Sequence, residues 1–121
     1  MSIRVNSNRN FVPKGWGFED WLDNRDEYCL KRMFMLKGKR FSWHHHPIKR
    51  ETFYIWSGKV RMRYGKNPDI DRSSEVILEA GDTFHIEPFL WHQVTALEDT
   101  WIIEGSTTHS DEDVVRGIKG D

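Results

Sequence analysis

The stretch GKRFSWHHHPIKRETFYIWSG, residues 38–58, places three consecutive histidines ahead of a run of β-forming residues. In a strand, residues two apart point to the same side, so His44 and His46 converge while His45 points away. A short turn at PIK would fold the next strand back and bring Glu51 beside the two converging rings. The stretch therefore predicts two neighbouring strands that carry a cluster of two imidazoles and one carboxylate.

Short apolar runs broken by glycine and turn residues continue along most of the chain, and side chains alternate clearly in KVRMRY. Strands of this length at regular spacing predict an antiparallel sandwich or barrel. Only SDEDVVRG, residues 110–117, has a weakly helical pattern, with Ser110 as its N-cap. We expect an N-terminal arm over residues 1–12 and a single all-β domain over residues 13–121.

The bulk composition narrows the choice of partner and compartment. The chain has 121 residues, a net charge of −1 and a single cysteine, Cys29. A balanced charge gives no electrostatic basis for binding nucleic acid or an anionic membrane. One cysteine cannot form an internal disulfide, which fits a reducing compartment. With no signal peptide and no apolar run long enough to span a bilayer, the sequence predicts a cytoplasmic protein.

A further histidine lies far along the chain, in GDTFHIEPFLWHQV, where His92 follows a short strand pattern. Together with His44, His46 and Glu51 it would give three neutral imidazoles and one carboxylate. Such a set suits a divalent transition metal: Mn, Fe, Co, Ni or Zn. Four protein ligands on an octahedral ion leave two positions open, which indicates a reactive site rather than a structural one.

Two motifs resemble those of the cupin family. The pattern G-x5-H-x-H-x4-E-x6-G over residues 38–58 resembles the first cupin motif at every fixed position, and GDTFHIEPFLWH over residues 81–92 resembles the second. The second motif departs from the family at Glu87, where proline is usual, and at Phe89, where glycine is usual. The resemblance implies a double-stranded β-helix, or jelly roll. It also implies four metal ligands: His44, His46, Glu51 and His92.

A second resemblance covers about residues 13–116. The segments KGWGFEDWL, SGKV and HSDEDVVR are similar to the cupin domain of type II mannose-6-phosphate isomerases, although Gly15 replaces a proline of that family. The longer gap between the second histidine and the glutamate, which contains Lys49, is similar to that of D-lyxose isomerase-like cupins. Both of these relatives are sugar isomerases, so the second resemblance implies a metal-dependent aldose–ketose isomerase that acts on a sugar or sugar phosphate.

Three residues are candidates for catalysis on such a substrate or for binding it. Lys49 or Glu104 could serve as the catalytic base, and Arg116 could bind an anionic substrate group. Each has an alternative: Lys49 as a solvated loop lysine, Glu104 as a residue that closes the sheet, and Arg116 as the partner of neighbouring acidic residues.

Two other functions stay open. The same ligands serve Fe(II)-dependent dioxygenases, and a third possibility is a non-catalytic, metal-dependent carbohydrate-binding or regulatory cupin. We also expect a homodimer, because the beginning of the chain carries exposed strand-forming sequence.

Several conspicuous side chains receive no role in the site at this stage. His45 and His85 are predicted to point outward, His109 carries no signal, Cys29 is predicted to be a small buried apolar residue, and Trp16 and Trp21 are predicted to form a lid or a dimer contact.

Overall fold

The computed structural model of the protein describes residues 9–121, and β-strands dominate this range. The strands are β1 (Asn10–Lys14), β2 (Gly17–Asn24), β3 (Cys29–Met35), β4 (His44–His45), β5 (Glu51–Ser57), β6 (Lys59–Gly65), β7 (Ser74–Glu79), β8 (Thr83–Ile86), β9 (Trp91–Ala96), β10 (Thr100–Ser106) and β11 (Val115–Arg116). A short 3₁₀ helix, Ile70–Arg72, links β6 and β7. Within residues 9–121, no helix is both long and apolar enough to cross a membrane.

The strands form two antiparallel sheets. The six-stranded sheet has the order β1-β2-β3-β10-β5-β8, and the five-stranded sheet has the order β11-β4-β9-β6-β7. Most of the predicted arm, residues 1–8, lies outside the described residues. Residues 10–14 form β1, which pairs with β2, so the predicted boundary after residue 12 falls inside a strand.

The core lies between the sheets and follows the alternation of each strand. In β3 every second side chain is buried, and the same alternation holds in β5 up to Ile55 and in β6 up to Met62. The buried apolar side chains include Met33, Met35, Phe53, Ile55, Val60, Met62, Val94 and Ile102. Because the inward positions are apolar along most of their length, the few polar ones stand out as candidates for function.

The weakly helical prediction for residues 110–117 is wrong. Residues 111–121, here called the C-terminal segment, run antiparallel to residues 40–49, and β11 pairs with β4. The backbone amide of Gly117 donates to the carbonyl of Trp43, and the amide of Trp43 donates to the carbonyl of Ile118. Local helix propensity is weak here, and pairing with a distant strand outweighs it.

Gly58 shows why a glycine of the first motif is fixed. Its φ is 99°, in the left-handed region, and a β-carbon built there would lie 2.5 Å from the carbonyl oxygen of Asp99. Only a glycine fits the tight connection between β5 and β6 without displacing the backbone. This turn sets the start of β6 and hence the register of the five-stranded sheet.

Candidate metal centre and cavity

Three histidines meet between the two sheets. His44 on β4 lies directly opposite His92 on β9, and His46 follows two residues after His44. One ring nitrogen from each histidine lies within 4.8 Å of the others, an arrangement able to hold a metal ion. His46 and His92 are buried and His44 is half-buried. The alternation predicted from HHH is therefore confirmed, since His45 lies outside the cluster.

The backbone orients each ring of the cluster in the same way. Every one of the three histidines donates its Nδ1 proton to a carbonyl oxygen, because a carbonyl can only accept. The bonds join His44 to Ser42 at 2.8 Å, His46 to Asp113 at 2.7 Å and His92 to Leu90 at 2.9 Å. The lone pair of each Nε2 is then free to bind a metal, the arrangement that metal-ligating histidines usually adopt.

Glu51 lies at the start of β5, beside the three histidines. Its Oε2 lies 3.2 Å from Nε2 of His46. Because the His46 proton is on Nδ1, a lone pair on Nε2 faces a lone pair on the carboxylate oxygen. Such a contact requires a proton or a cation between the two atoms. Among the described residues, neither Oε2 of Glu51 nor Nε2 of His92 has a well-aligned hydrogen bond, although both are buried. Buried polar atoms without partners are costly, and a bound divalent cation would satisfy both.

The pKa values in the cluster favour the ligand form of the histidines. Burial lowers the pKa of His46 to about 3 and that of His92 to about 4. Burial, and next the negative charge of Glu104, raise the pKa of Glu51 to about 8. The imidazoles of His46 and His92 are therefore neutral at physiological pH, as a metal ligand must be. For Glu51, burial and the charge of Glu104 outweigh the attraction of Lys49 and Lys31, which would lower its pKa.

Lys49 and Glu104 form a buried ion pair beside the cluster. Nζ of Lys49 lies 3.2 Å from Oε2 of Glu104 and 3.5 Å from Oε2 of Glu51. Burial would lower the pKa of Lys49, but attraction to Glu104 and Glu51 outweighs it and raises the pKa. Burial would likewise raise the pKa of Glu104, but Lys49 and Lys31 outweigh it and bring that pKa to about 2. The solvated-lysine alternative is therefore wrong.

The site opens into a cavity of about 400 Å³. Besides His44, His46, Lys49, Glu51 and Glu104, its walls contain polar and aromatic groups that the sequence did not single out as binding residues: Glu19, Trp21, Lys31, His109 and Asp111. Acidic and basic side chains thus lie side by side in the cavity walls, which suits a small, polar ligand rather than an apolar one.

Lys31 is the least expected of these residues, since its side chain is only 2% exposed. Its Nζ lies 3.3 Å from Oε1 of Glu19, 3.0 Å from Nδ1 of His109 and 4.6 Å from the ring centre of Trp21. One feature of the sequence could have identified Lys31 as a buried residue. Lys31 has the same parity along β3 as the buried residues Cys29 and Met33, so a period of two places it inside.

Arg116 lies at the mouth of this cavity. It pairs with His44 across β11 and β4, its side chain is exposed, and it contributes to the cavity wall. No ion pair joins it to another residue in the range 9–121, so the alternative in which neighbouring acids neutralise it is not formed. Its guanidinium is available to an anionic group that enters the cavity.

The remaining conspicuous side chains lie in the core, in the cavity wall or on the surface. Trp16 packs in the core and Trp21 lines the cavity, while Cys29 is buried as predicted. His85 is exposed and contacts Thr52 and Glu87. His109, which carried no sequence signal, is part of the cavity wall.

The two departures from the second motif have different consequences. Glu87 is exposed and pairs with Arg50 at 2.7 Å, so it belongs to the surface. Phe89 adopts a φ of 69°, in the left-handed region that glycine, the usual residue of the motif, adopts without strain. A side chain there is strained by roughly 1–2 kcal/mol. The chain nevertheless makes the turn, and the amide of Phe89 donates to the carbonyl of His46.

Comparison with known proteins agrees with this architecture. The model of the cupin domain matches residues 31–104, which is more than half of the chain. The chain belongs to the cupin family. That match contains His44, His46, Glu51, His92 and Glu104, and it confirms the predicted jelly roll.

Relatives of known structure share this fold at low sequence identity. Oxalate decarboxylase from Bacillus subtilis superposes with a TM-score of 0.78 at 16% identity, over 92% of this chain and 30% of the other. KdgF from Halomonas sp. superposes with a TM-score of 0.73 at 16% identity, over 92% of this chain and 98% of the other. Cupins of this shape therefore occur both as single short chains and as parts of longer ones.

One curated relative is similar in sequence as well. A D-lyxose/D-mannose isomerase from Thermosediminibacter oceani is 28% identical over 110 residues, which cover 74% of this chain and 61% of the isomerase. The chain thus spans about three fifths of the length of that enzyme.

Proposed function

We propose that the protein is a divalent-metal-dependent aldose–ketose isomerase that acts on a sugar or a sugar phosphate. The observation that carries the proposal is the buried Lys49–Glu104 ion pair, which lies against the cluster of potential ligands in one cavity. Similarity to the D-lyxose/D-mannose isomerase supports a carbohydrate substrate.

The residues present fit a metal ion. His44, His46, His92 and Glu51 would hold it, since the three imidazoles are oriented and neutral and a buried carboxylate oxygen of Glu51 lies 3.2 Å from Nε2 of His46. Mn, Fe, Co, Ni and Zn all accept such ligands. When bound, the cation supplies Lewis-acid stabilisation of the negative charge that develops on substrate oxygens.

Glu104 is the proposed base for proton transfer between neighbouring carbons of the sugar. Its carboxylate is ionised at any pH near neutrality, because Lys49 and Lys31 hold its pKa low. Lys49, as an ammonium, orients the carboxylate through its 3.2 Å contact and can donate a hydrogen bond to a substrate oxygen.

The far wall would hold the rest of the sugar. Glu19, Lys31 and His109 offer donors and acceptors to hydroxyl groups, and Trp21 provides an aromatic surface. Arg116, at the mouth, is the proposed contact for an anionic group such as a phosphate. In this arrangement the reacting carbons face Glu104, and the substituents face the polar wall.

The test is solvent exchange during turnover. The protein, loaded in turn with Mn, Fe, Co, Ni or Zn, is incubated in D₂O with a panel of aldoses, ketoses and their phosphates, without oxygen. We expect deuterium at the carbon next to the carbonyl in at least one sugar, together with its isomer. Absence of deuterium from every sugar with every metal would overturn the proposal.

A matched pair of variants tests the role of the base. Glu104→Gln keeps the shape but removes the basic oxygen, and we expect exchange to fall by roughly 100-fold or more. Glu87→Gln removes an exposed carboxylate outside the cavity and should exchange at the normal rate. A reaction that instead consumes oxygen and requires iron would identify the dioxygenase alternative.

A further inference from the structure

The cavity holds a second lysine–glutamate pair, which the proposed isomerisation step does not use. Nζ of Lys31 lies 3.3 Å from Oε1 of Glu19, and the two side chains are only 2% and 14% exposed. Both residues line the same cavity as the Lys49–Glu104 pair. Replacing a buried ion pair by apolar residues is often neutral or stabilising, so stability alone does not account for this one. A buried pair of titratable groups in a cavity wall is instead a candidate for chemistry.

The contacts around the Lys31 ammonium fix its orientation. An ammonium can only donate, so Nδ1 of His109, 3.0 Å from Nζ, accepts a hydrogen bond from it. The ring proton of His109 is then on Nε2, which donates to Asp111 at 2.8 Å. On the other side of the pair, Nε1 of Trp21 donates to Oε1 of Glu19 at 2.7 Å. A donor and an acceptor are therefore held side by side in a fixed relative position.

Each member of the pair keeps one function for a ligand. An ammonium has three protons, and within residues 9–121 Glu19 and His109 accept two of those of Lys31, which leaves one for a ligand oxygen. Oε2 of Glu19 lies 3.9 Å from Nζ of Lys14, too far for a hydrogen bond, so this oxygen can take a proton from a ligand. The pair thus offers one acid and one base to the same small molecule.

Opening the ring of a sugar requires this combination. Aldoses with five or six carbons are closed rings in water for most of the time, whereas aldose–ketose isomerisation needs the open chain. To open the ring, a base removes the proton of the anomeric hydroxyl and an acid protonates the ring oxygen. These two oxygens are bonded to the same carbon, and an acid and a base 3.3 Å apart can reach both at once.

We propose that Lys31 and Glu19 open the ring of an aldose bound in the cavity. Glu19 takes the proton of the anomeric hydroxyl, and the electron pair of that O–H bond forms the carbonyl group. The bond between the anomeric carbon and the ring oxygen breaks, and the ring oxygen takes a proton from Lys31. The proton on Glu19 then passes to Lys31 across their 3.3 Å contact, which restores the pair without another reactant.

The opened sugar would lie beside the pair that is proposed to isomerise it. Lys31 on β3 and Glu104 on β10 are partners in the register of the six-stranded sheet, and both side chains are buried. An aldehyde formed at Lys31 therefore needs little movement to reach Glu104. The inference rests on the proposed function in one respect, namely that the cavity binds an aldose, but ring opening by this pair requires no metal ion.

The experiment follows mutarotation, because opening and reclosing of the ring interconverts the two anomers. Freshly dissolved α-D-mannose, α-D-glucose or α-D-xylose is mixed with the full chain, with and without a metal chelator, and the optical rotation is recorded. We expect the protein to accelerate the change for at least one sugar under both conditions. Glu19→Gln removes the base and should lower this acceleration roughly 100-fold or more. Glu27→Gln is the matched control, because Glu27 is exposed in the connection between β2 and β3, and it should act at the natural rate.

Three results would overturn the proposal. The first is no acceleration with any of the three sugars, and the second is an acceleration that the chelator abolishes. The third is an acceleration that Glu104→Gln abolishes and Glu19→Gln does not, since the other pair would then open the ring. Circular dichroism establishes that each variant is folded. If Glu19→Gln fails to fold, Lys31→Met, which removes the acid, decides by the same criteria.

The outcome is separable from that of the isomerase test. Accelerated mutarotation without deuterium exchange into any sugar would support ring opening by this pair and overturn the proposed isomerase. Deuterium exchange without accelerated mutarotation would support the isomerase and overturn ring opening by Lys31 and Glu19.

Discussion

Replacement of Asp113 would disturb the candidate metal centre while every proposed ligand keeps its side chain. Its carboxylate accepts hydrogen bonds from the backbone amides of Ile48 and Lys49, both at 2.9 Å, and its own carbonyl accepts from His46 at 2.7 Å. One residue of the C-terminal segment therefore holds both the PIK turn and the ring of a ligand. The side chain is buried, so no water can replace these bonds easily.

The cost of removing this carboxylate follows from the two bonds. In Asp113→Asn one oxygen still accepts, but the amide NH₂ faces the second backbone N–H, which costs about 2 kcal/mol. In Asp113→Ala both amides lose their acceptor, at about 4 kcal/mol. Because the turn carries His46 at one end and Glu51 at the other, we expect metal affinity to fall roughly 10- to 100-fold. Urea unfolding measures the first effect, and titration of the Co²⁺ visible spectrum measures the second.

Glu112→Gln provides the control, since it removes the same charge from an exposed neighbouring position. It should change neither the free energy of unfolding by more than about 0.5 kcal/mol nor the Co²⁺ affinity. If folded Asp113→Ala binds Co²⁺ as tightly as the natural protein, the carboxylate does not position the site. If the free energy of unfolding is also unchanged, the two hydrogen bonds do not form in solution.

Three further predictions concern the same region. Replacing His92 by alanine should abolish Co²⁺ binding, because the other ligands then lack the partner opposite them, whereas replacing the exposed His85 by alanine should leave binding intact; isothermal titration decides. Phe89→Gly should stabilise the protein by roughly 1 kcal/mol, because glycine tolerates a φ of 69°, while Phe89→Ala keeps the β-carbon and should not; equal urea midpoints would contradict this. The metal-free protein should lose stability as the pH falls from 6.5 to 4.5, on the order of 2 kcal/mol per pH unit, in urea unfolding at several pH values. Burial depresses the pKa values of the three clustered histidines in the folded state, so the unfolded chain binds more protons in this window. The raised pKa of Glu51 opposes this effect, but Glu51 accounts for one proton and the histidines for three. A free energy of unfolding that rises on acidification would refute the inference that the three histidines are buried and neutral.

Much of the architecture was predictable because it depends on periods and spacings. A period of two separated His44 and His46 from His45, and the turn at PIK returned Glu51 to the same place. Glycine with a left-handed φ is required at Gly58, so a motif that fixes glycine there reports a real backbone constraint. These features are local in sequence, and short-range geometry determines them.

What the sequence did not reveal depends on contacts between distant segments. The helix predicted over residues 110–117, with Ser110 as its N-cap, would place Asp113 in its first turn, but the Asp113 carboxylate binds amides 64 and 65 residues away. His109 carried no signal because its partner, Lys31, lies on a strand 78 residues earlier. Lys31 itself was overlooked because a lysine is expected at the surface, although its parity along β3 placed it inside.

The pairing of the C-terminal segment with residues 40–49 has a thermodynamic consequence. Docking of this segment orients His46 and fixes the turn before Glu51, so metal binding and docking favour the same state. Linkage is reciprocal: the free energy by which docking of the segment strengthens metal binding equals the free energy by which bound metal stabilises the docked segment. Zinc should therefore protect residues 111–121 from proteases and slow amide exchange at Trp43. A binding partner that drew this segment away would lower the metal affinity of the site, so that affinity would depend on a strand far from the site in sequence.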